Sequence, residues 1–135
     1  MTDDSNPSRI PFLSVEEAER IGKEHGVPSS MAHLNVFRVM SHHPELAAAV
    51  SNLLATLLYK GNKLDERLRE LIIMRLAWRT GSVYEWTQHW RVAERLKIDG
   101  ESVVAVRDWQ NADCLSAADK AVLAATDETL NDGRI

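Results

Sequence analysis

The segment between Asp65 and Gly81 constrains the fold more than any other part of the sequence. It begins with a residue that caps helices well and ends at a glycine, the residue that most often terminates them. Its apolar residues cover most sides of a helix: Leu68, Leu71, Ile72, Ile73, Met74, Leu76, Ala77 and Trp78. A helix that is apolar on most sides needs to be buried, so we expect this one to lie at the centre of the protein or between subunits.

Cap and stop signals divide most of the remaining sequence into further helices. No segment shows convincing strand alternation, and there is no internal repeat. The helices predicted beside the one at 65–80 are a short one from Ser14 to Gly26, a segment over 31–43, Pro44 to Gly61, 83–97, a short one opened by Asp99 and Gly100, and one from Ser116 to Gly133. The sequence therefore predicts an all-α, single-domain bundle of about six to seven helices over residues 14–135. An irregular arm precedes it at residues 1–13, where Pro7 and Pro11 disfavour a helix.

Composition narrows the function classes. With 135 residues, 44% of them hydrophobic, the chain has enough apolar side chains for a substantial core. A formal charge of -4 without a basic cluster argues against nucleic acid as a partner. The single cysteine, Cys114, cannot form an intramolecular disulfide, so we expect a reducing, cytoplasmic setting. No signal peptide or membrane-spanning run is visible, and we expect no membrane partner.

A set of polar residues with fixed spacing is the candidate site. Glu85 and His89 are four residues apart on one predicted helix, so the carboxylate can orient the imidazole. Glu70 lies on the preceding apolar helix and needs a partner if it is buried. Two plainer interpretations remain open. In the first, Glu85 and His89 form an ordinary ion pair on a solvated face. In the second, Glu70 forms a salt bridge with one of its neighbours Arg67, Arg69 or Arg75.

Metal binding is the other open alternative. Glu85 and His89, joined by Glu70 or by His42 or His43, contain ligand types that suit zinc or iron. The sequence has no HExxH motif, and a third ligand has to be assumed, so we predict no metal and no cofactor. Aromatic residues beside the polar set, Trp86, Trp90 and Tyr84, are expected to line a site for a small, flat substrate.

The sequence resembles the carboxymuconolactone decarboxylase family, which includes the alkylhydroperoxidase D-like proteins. The resemblance rests on LNVFRVMSHHPEL at 34–46, on LDERLRELIIMRLAWRTGSVYEWTQHWRVAERLKI at 64–98, and on the helix after Ser116. It implies an all-α, alkylhydroperoxidase D-like fold over most of the chain beyond the arm. It also implies assembly into a homo-oligomer.

The resemblance further implies which residues occupy the family's active-site positions. In the peroxidase branch, a CxxCxxxH motif follows a glutamate. Laid onto this chain, the two cysteines fall on Ser82 and Glu85, the histidine on His89 and the glutamate on Glu70. The proton relay is therefore present without the cysteine pair, and we expect no peroxidase activity that depends on that pair.

The decarboxylase branch implies a different activity, on a carboxylated unsaturated lactone and without a cofactor. We therefore interpret the chain as an acid–base lyase for a small carboxylated or lactone substrate. His89 would act as base or acid, Glu85 would orient it or exchange protons, Glu70 would relay and Ser82 would donate to a substrate oxygen.

Charge alone suggests Arg38 or Arg75 as the group that holds a substrate carboxylate. A non-catalytic oligomeric scaffold, in which the same polar residues stabilise the core, remains the alternative. A metal-dependent enzyme is a second alternative.

Family members of this type usually continue past the DGRI turn with another helical segment. The sequence is therefore expected to be a naturally short version, a fragment, or a chain that borrows this helix from a partner subunit.

Overall fold

A computed structural model describes residues 9–61 and 63–133, and these residues form helices and no strand. The described residues contain seven α-helices: α1 (Val15–Glu24), α2 (Asn35–Met40), α3 (Pro44–Leu58), α4 (Glu66–Thr80), α5 (Val83–Arg95), α6 (Gly100–Ala105) and α7 (Ala117–Asp132). Two 3₁₀ segments, Ser29–His33 and Val106–Asn111, complete the elements. The predicted all-α fold of about six to seven helices is confirmed.

Most helices begin and end at the residues that the sequence indicates. Ser14 and Glu17 form the reciprocal hydrogen bonds of a capping box at α1, and Ser116 and Asp119 form another at α7. Gly81 ends α4 in the left-handed region, at φ +69°, which favours glycine. The reversal at Gly81 lets α5 return along α4, and this contact positions the candidate site.

The segment at 31–43 is less regular than the sequence predicts. A 3₁₀ segment stops at His33, Leu34 has extended backbone, and α2 starts anew at Asn35. The carbonyl of Leu34 accepts hydrogen bonds from both Phe37 and Arg38, so the break itself supplies the first acceptor of α2. His43 then caps α3 by accepting a hydrogen bond from the backbone of Leu46.

The described residues divide into two compact units, one up to residue 61 and the other from residue 63 onward. The core of the first contains Val27, Phe37 and Ala47. The core of the second contains Leu71, Met74, Ala93, Val103, Val106, Leu115 and Leu123. Within the second unit α4 contacts α5, α7 and the segment Val106–Asn111, so it is central there. A single domain over 14–135 stays a prediction.

Part of the predicted N-terminal arm is visible in the first unit. Residues 1–8 of the arm lie outside the described residues, and residues 9–13 contain no helix. Arg38 Nε donates to the carbonyl of Leu13 at 2.7 Å, and His42 Nε2 lies 2.8 Å from the carbonyl of Pro11. In the part of the chain described here, no helix is long and apolar enough to cross a membrane.

An ionic cluster joins α4 to α7 inside the second unit. The Asp127 carboxylate accepts hydrogen bonds from Arg75 Nε and Nη2, both at 2.8 Å, from Arg79 at 2.9 Å and from the Trp109 indole at 3.0 Å. Burial alone would raise the pKa of Asp127, but the hydrogen bonds from Arg75 and Trp109 outweigh it and hold that pKa below its usual range. The cluster therefore fixes two helices through one ionised carboxylate.

Asp127→Ala is expected to lower the free energy of unfolding by about 3 to 5 kcal/mol, because the buried Arg75 guanidinium loses its carboxylate. Urea unfolding followed by circular dichroism measures the change. The matched control is Glu128→Ala, which removes an exposed carboxylate from the same helix and should change stability by less than about 0.5 kcal/mol. Equal effects of the two substitutions would show that the cluster does not stabilise the fold.

Candidate active site

The candidate site lies where α4 and α5 pack together. Glu70 projects from α4 and is only 1% exposed, and its Oε2 lies 2.7 Å from Nδ1 of His89 on α5. Its other oxygen accepts a hydrogen bond from Arg69 Nε at 3.0 Å. Both carboxylate oxygens of this buried residue are therefore bonded. The salt bridge to Arg69, which the sequence left open, exists together with the histidine contact.

Glu70 is held in its charged form by these partners. Burial favours the neutral acid and would raise the pKa of Glu70, but the hydrogen bonds from His89 and Arg69 outweigh burial and lower that pKa below its ordinary value. An ionised carboxylate can only accept hydrogen bonds. Nδ1 of His89 is therefore the donor in this contact, and the proton on that nitrogen is fixed by Glu70.

The second ring nitrogen of His89 faces Glu85. Nε2 lies 3.5 Å from Glu85 Oε2, and the Glu85 side chain is 45% exposed while that of His89 is 18% exposed. The three residues thus form a line from a buried carboxylate through an imidazole to a carboxylate at the surface. Because Nδ1 keeps its proton, Nε2 is the nitrogen available to take up or release one.

Ser82 lies at the start of α5 and acts as its N-cap. Its Oγ accepts a hydrogen bond from the backbone N–H of Glu85 at 3.3 Å. The hydroxyl proton is not used in that bond, so it is available to a ligand. The cap also fixes the first turn of α5, where Tyr84 is 37% exposed.

The predicted aromatic wall consists of tryptophans that pack on one another. Trp86 and Trp90 have ring centroids 6.3 Å apart, and Trp78 of α4 extends the row with a centroid 6.1 Å from that of Trp86. Trp86 and Trp90 also pack against the core of the second unit. Their positions are therefore fixed by the core, with Trp78 being 48% exposed at the end of the row.

The two arginines suggested as carboxylate ligands have protein partners. Arg75 is buried and donates to Asp127 and to the carbonyls of Val106 and Arg107. Arg38 belongs to the first unit, where it donates to Leu13 and Asn35. Their roles in substrate binding stay predictions, without support from these contacts.

Sequence reasoning missed Arg107. Its guanidinium carbon lies 5.0 Å from the ring centroid of Trp78 and 4.8 Å from that of Trp86, within the range of cation–π contacts. The segment Val106–Asn111 brings it there across more than twenty residues of sequence, so no local spacing pointed to it.

Two other features bear on the location of a site. Within residues 9–61 and 63–133, no group of three histidine, cysteine, aspartate or glutamate side chains is arranged to hold a metal ion. A groove of about 260 Å³ between α4 and α7 is lined by Ile72, Leu76, Val122, Ala125, Thr126, Thr129 and Leu130. Its lining contains no titratable side chain, unlike the set around His89.

Comparison with known families decides where this arrangement belongs. The sequence model that describes the carboxymuconolactone decarboxylase family matches residues 44–128 of this chain. The matched part includes Glu70, Ser82, Glu85 and His89. The chain belongs to the carboxymuconolactone decarboxylase family. The resemblance drawn from the sequence is thereby confirmed at the level of the family. Searches of curated proteins and of solved structures returned no match.

Glu70→Gln is expected to lower the free energy of unfolding near pH 7 by about 1 to 3 kcal/mol, because a buried, hydrogen-bonded charge is lost. The unfolded chain binds a proton at the ordinary pKa of 4.5, before the folded state does. The carboxylate's contribution is therefore full above that pH and disappears as the pH falls through the lower, folded-state pKa.

Urea unfolding at a series of pH values from 7 to 3 measures this difference. The difference in free energy of unfolding between wild type and Glu70→Gln should become smaller as the pH falls. Glu101→Gln, which changes an exposed carboxylate, should have the stability of wild type at every pH. A gap that does not change with pH would show that Glu70 is not ionised in the fold.

Proposed function

We propose that this member of the family is a cofactor-independent acid–base lyase that acts on a small carboxylated or lactone substrate. The observation that carries the proposal is the 2.7 Å contact between buried Glu70 and Nδ1 of His89, with Nε2 directed toward the partly exposed Glu85. This geometry supports a histidine whose tautomer is set by one carboxylate and whose reactive nitrogen meets another.

Decarboxylation of such a substrate needs only proton transfer and an electron sink. The bond from carbon to the carboxylate breaks, carbon dioxide leaves, and the electron pair moves through the conjugated system to the lactone carbonyl oxygen. A proton from His89 Nε2, replenished through Glu85 from solvent, then adds to carbon and restores the carbonyl. Ser82, the N-cap of α5, would donate a hydrogen bond from its hydroxyl to the oxygen that becomes negative.

The proposal includes the absence of thiol peroxidase activity of the cysteine-pair type. A serine and a glutamate occupy the two positions that the resemblance equates with the cysteine pair, and neither cycles between thiol and disulfide. Cys114 is the single cysteine of the chain and is exposed in the loop before α7. It has no second thiol with which to form an intramolecular disulfide.

One observation favours a second candidate, a structural role for the same residues. Glu70 is buried with both oxygens bonded, as it would be in a polar network that only stabilises the core. The two candidates differ at Glu85, which is partly exposed. A structural network does not need this residue, whereas proton exchange with solvent does.

His89→Ala and Glu85→Gln are each expected to reduce turnover by about 10²- to 10⁴-fold, because each removes a proton-transfer group. The substrate probe is a carboxylated muconolactone in D₂O, followed by proton NMR for loss of the carboxylated species and for deuterium at the protonated carbon. Glu101→Gln on α6 is the matched carboxylate control, and His33→Ala in the first unit is the matched histidine control.

Thermal melts of the same variants distinguish catalysis from stability. Glu85→Gln should melt like wild type and yet lose turnover. If Glu85→Gln retains full turnover, the proton-exchange role of Glu85 is wrong. If wild type transforms no carboxylated lactone while His89→Ala only loses stability, the structural role is correct and the enzymatic proposal is wrong.

A further inference from the structure

Arg107 differs from the arginines that hold the second unit together. Arg67, Arg69, Arg75 and Arg79 each lie within ion-pair distance of a carboxylate. In the described part of the chain, the Arg107 guanidinium has no carboxylate within that distance and lies over the rings of Trp78 and Trp86 instead. An exposed cation is thus held in a defined place without its charge being neutralised.

The position of Arg107 is fixed from two sides. Its backbone carbonyl accepts a hydrogen bond from Arg75 Nη1 at 3.0 Å, and Arg75 is itself buried and bonded to Asp127. The side chain rests on two indole rings, which leave the N–H groups at the edge of the guanidinium free to bind an anion. A pre-positioned guanidinium loses little conformational freedom when it binds a planar carboxylate.

The same tryptophan that supports Arg107 leads to the proposed reaction centre. Trp86 precedes His89 by three residues on α5, a rise of about 4.5 Å that places both on neighbouring turns of one face. The first turn of α5 also presents the positive end of the helix dipole beside Trp86. Cationic charge and aromatic surface therefore occur together next to the acid–base residues.

We infer that Arg107 binds a carboxylate of the substrate and holds a small, planar carboxylic acid against Trp86, with its reacting carbon toward His89. The inference rests on the proposed function for the identity of the site, and it adds the group that selects acids over neutral analogues. Arg107 contacts the substrate and takes no part in proton transfer.

Ligand binding without turnover tests the inference. The probes are 2-furoate, a planar five-membered-ring carboxylate, and its methyl ester, which has the same ring without the charge. Quenching of tryptophan fluorescence reports binding, and saturation-transfer NMR confirms which ring protons contact the protein. Wild type should bind furoate about tenfold more tightly than the ester, or about 1.4 kcal/mol, the scale of one charge-assisted contact.

Arg107→Gln should remove this preference by weakening furoate about tenfold while leaving the ester unchanged. Arg107→Lys should retain part of it, because the charge remains but the planar fork is lost. Arg95→Gln, which removes an exposed arginine from the last turn of α5, is the matched control and should bind both probes like wild type. Thermal melts confirm that each variant is folded.

Three outcomes would overturn the inference: no furoate binding to wild type, unchanged furoate affinity in Arg107→Gln, or an equal loss of furoate and ester. The last would mean that Arg107 only supports the tryptophans. Glu85→Gln, which should melt like wild type, separates this result from the proposed function, since it should keep the furoate preference while losing proton transfer. If turnover depends on His89 but furoate affinity does not depend on Arg107, the carboxylate ligand is wrong and the proposed function stands.

Discussion

The second unit depends on one constraint, the burial of the charged Glu70 carboxylate in its central helix, α4. A buried charge is costly unless hydrogen bonds compensate it. Arg69 supplies one partner from the same helix, and His89 supplies the other from α5. The relative position of α4 and α5 and the orientation of the imidazole are therefore set by the same contact. The stability of the unit and the proposed chemistry therefore depend on the same contact between Glu70 and His89.

The rest of the unit is arranged around α4 by the same means. Arg67 bonds to Asp119 and to Ser102, and Arg75 bonds to Asp127 and to the carbonyl of Val106. Both arginines reach α7, and in addition Arg67 reaches α6 and Arg75 reaches the 3₁₀ segment after it, so one helix aligns all three elements. Its apolar residues fill the core between these contacts. A rigid frame of this kind suits a site whose acid–base groups require fixed distances.

Local signals in the sequence were sufficient for the helices and for half of the site. Ser14, Asp65 and Ser116 cap the predicted helices, and Glu85 and His89 were paired by helical spacing alone. The sequence made a contact between Glu70 and His89 possible but did not decide it, since Arg67, Arg69 and Arg75 were also possible partners of the carboxylate. Arg107 was out of reach, because its contact with Trp86 depends on how the segment after α6 packs. Long-range packing of this kind leaves no periodicity in the sequence.

The most direct test of the account is the tautomer of the neutral His89 ring, read from long-range proton–nitrogen NMR spectra. His89→Ala identifies the resonances among the five histidines. The account predicts that the neutral ring carries its proton on Nδ1, the nitrogen that faces Glu70. In Glu70→Gln, the proton of the neutral ring should no longer be held on Nδ1. A neutral ring protonated on Nε2, or a ring whose tautomer does not respond to Glu70→Gln, would contradict the relay on which the proposed function rests.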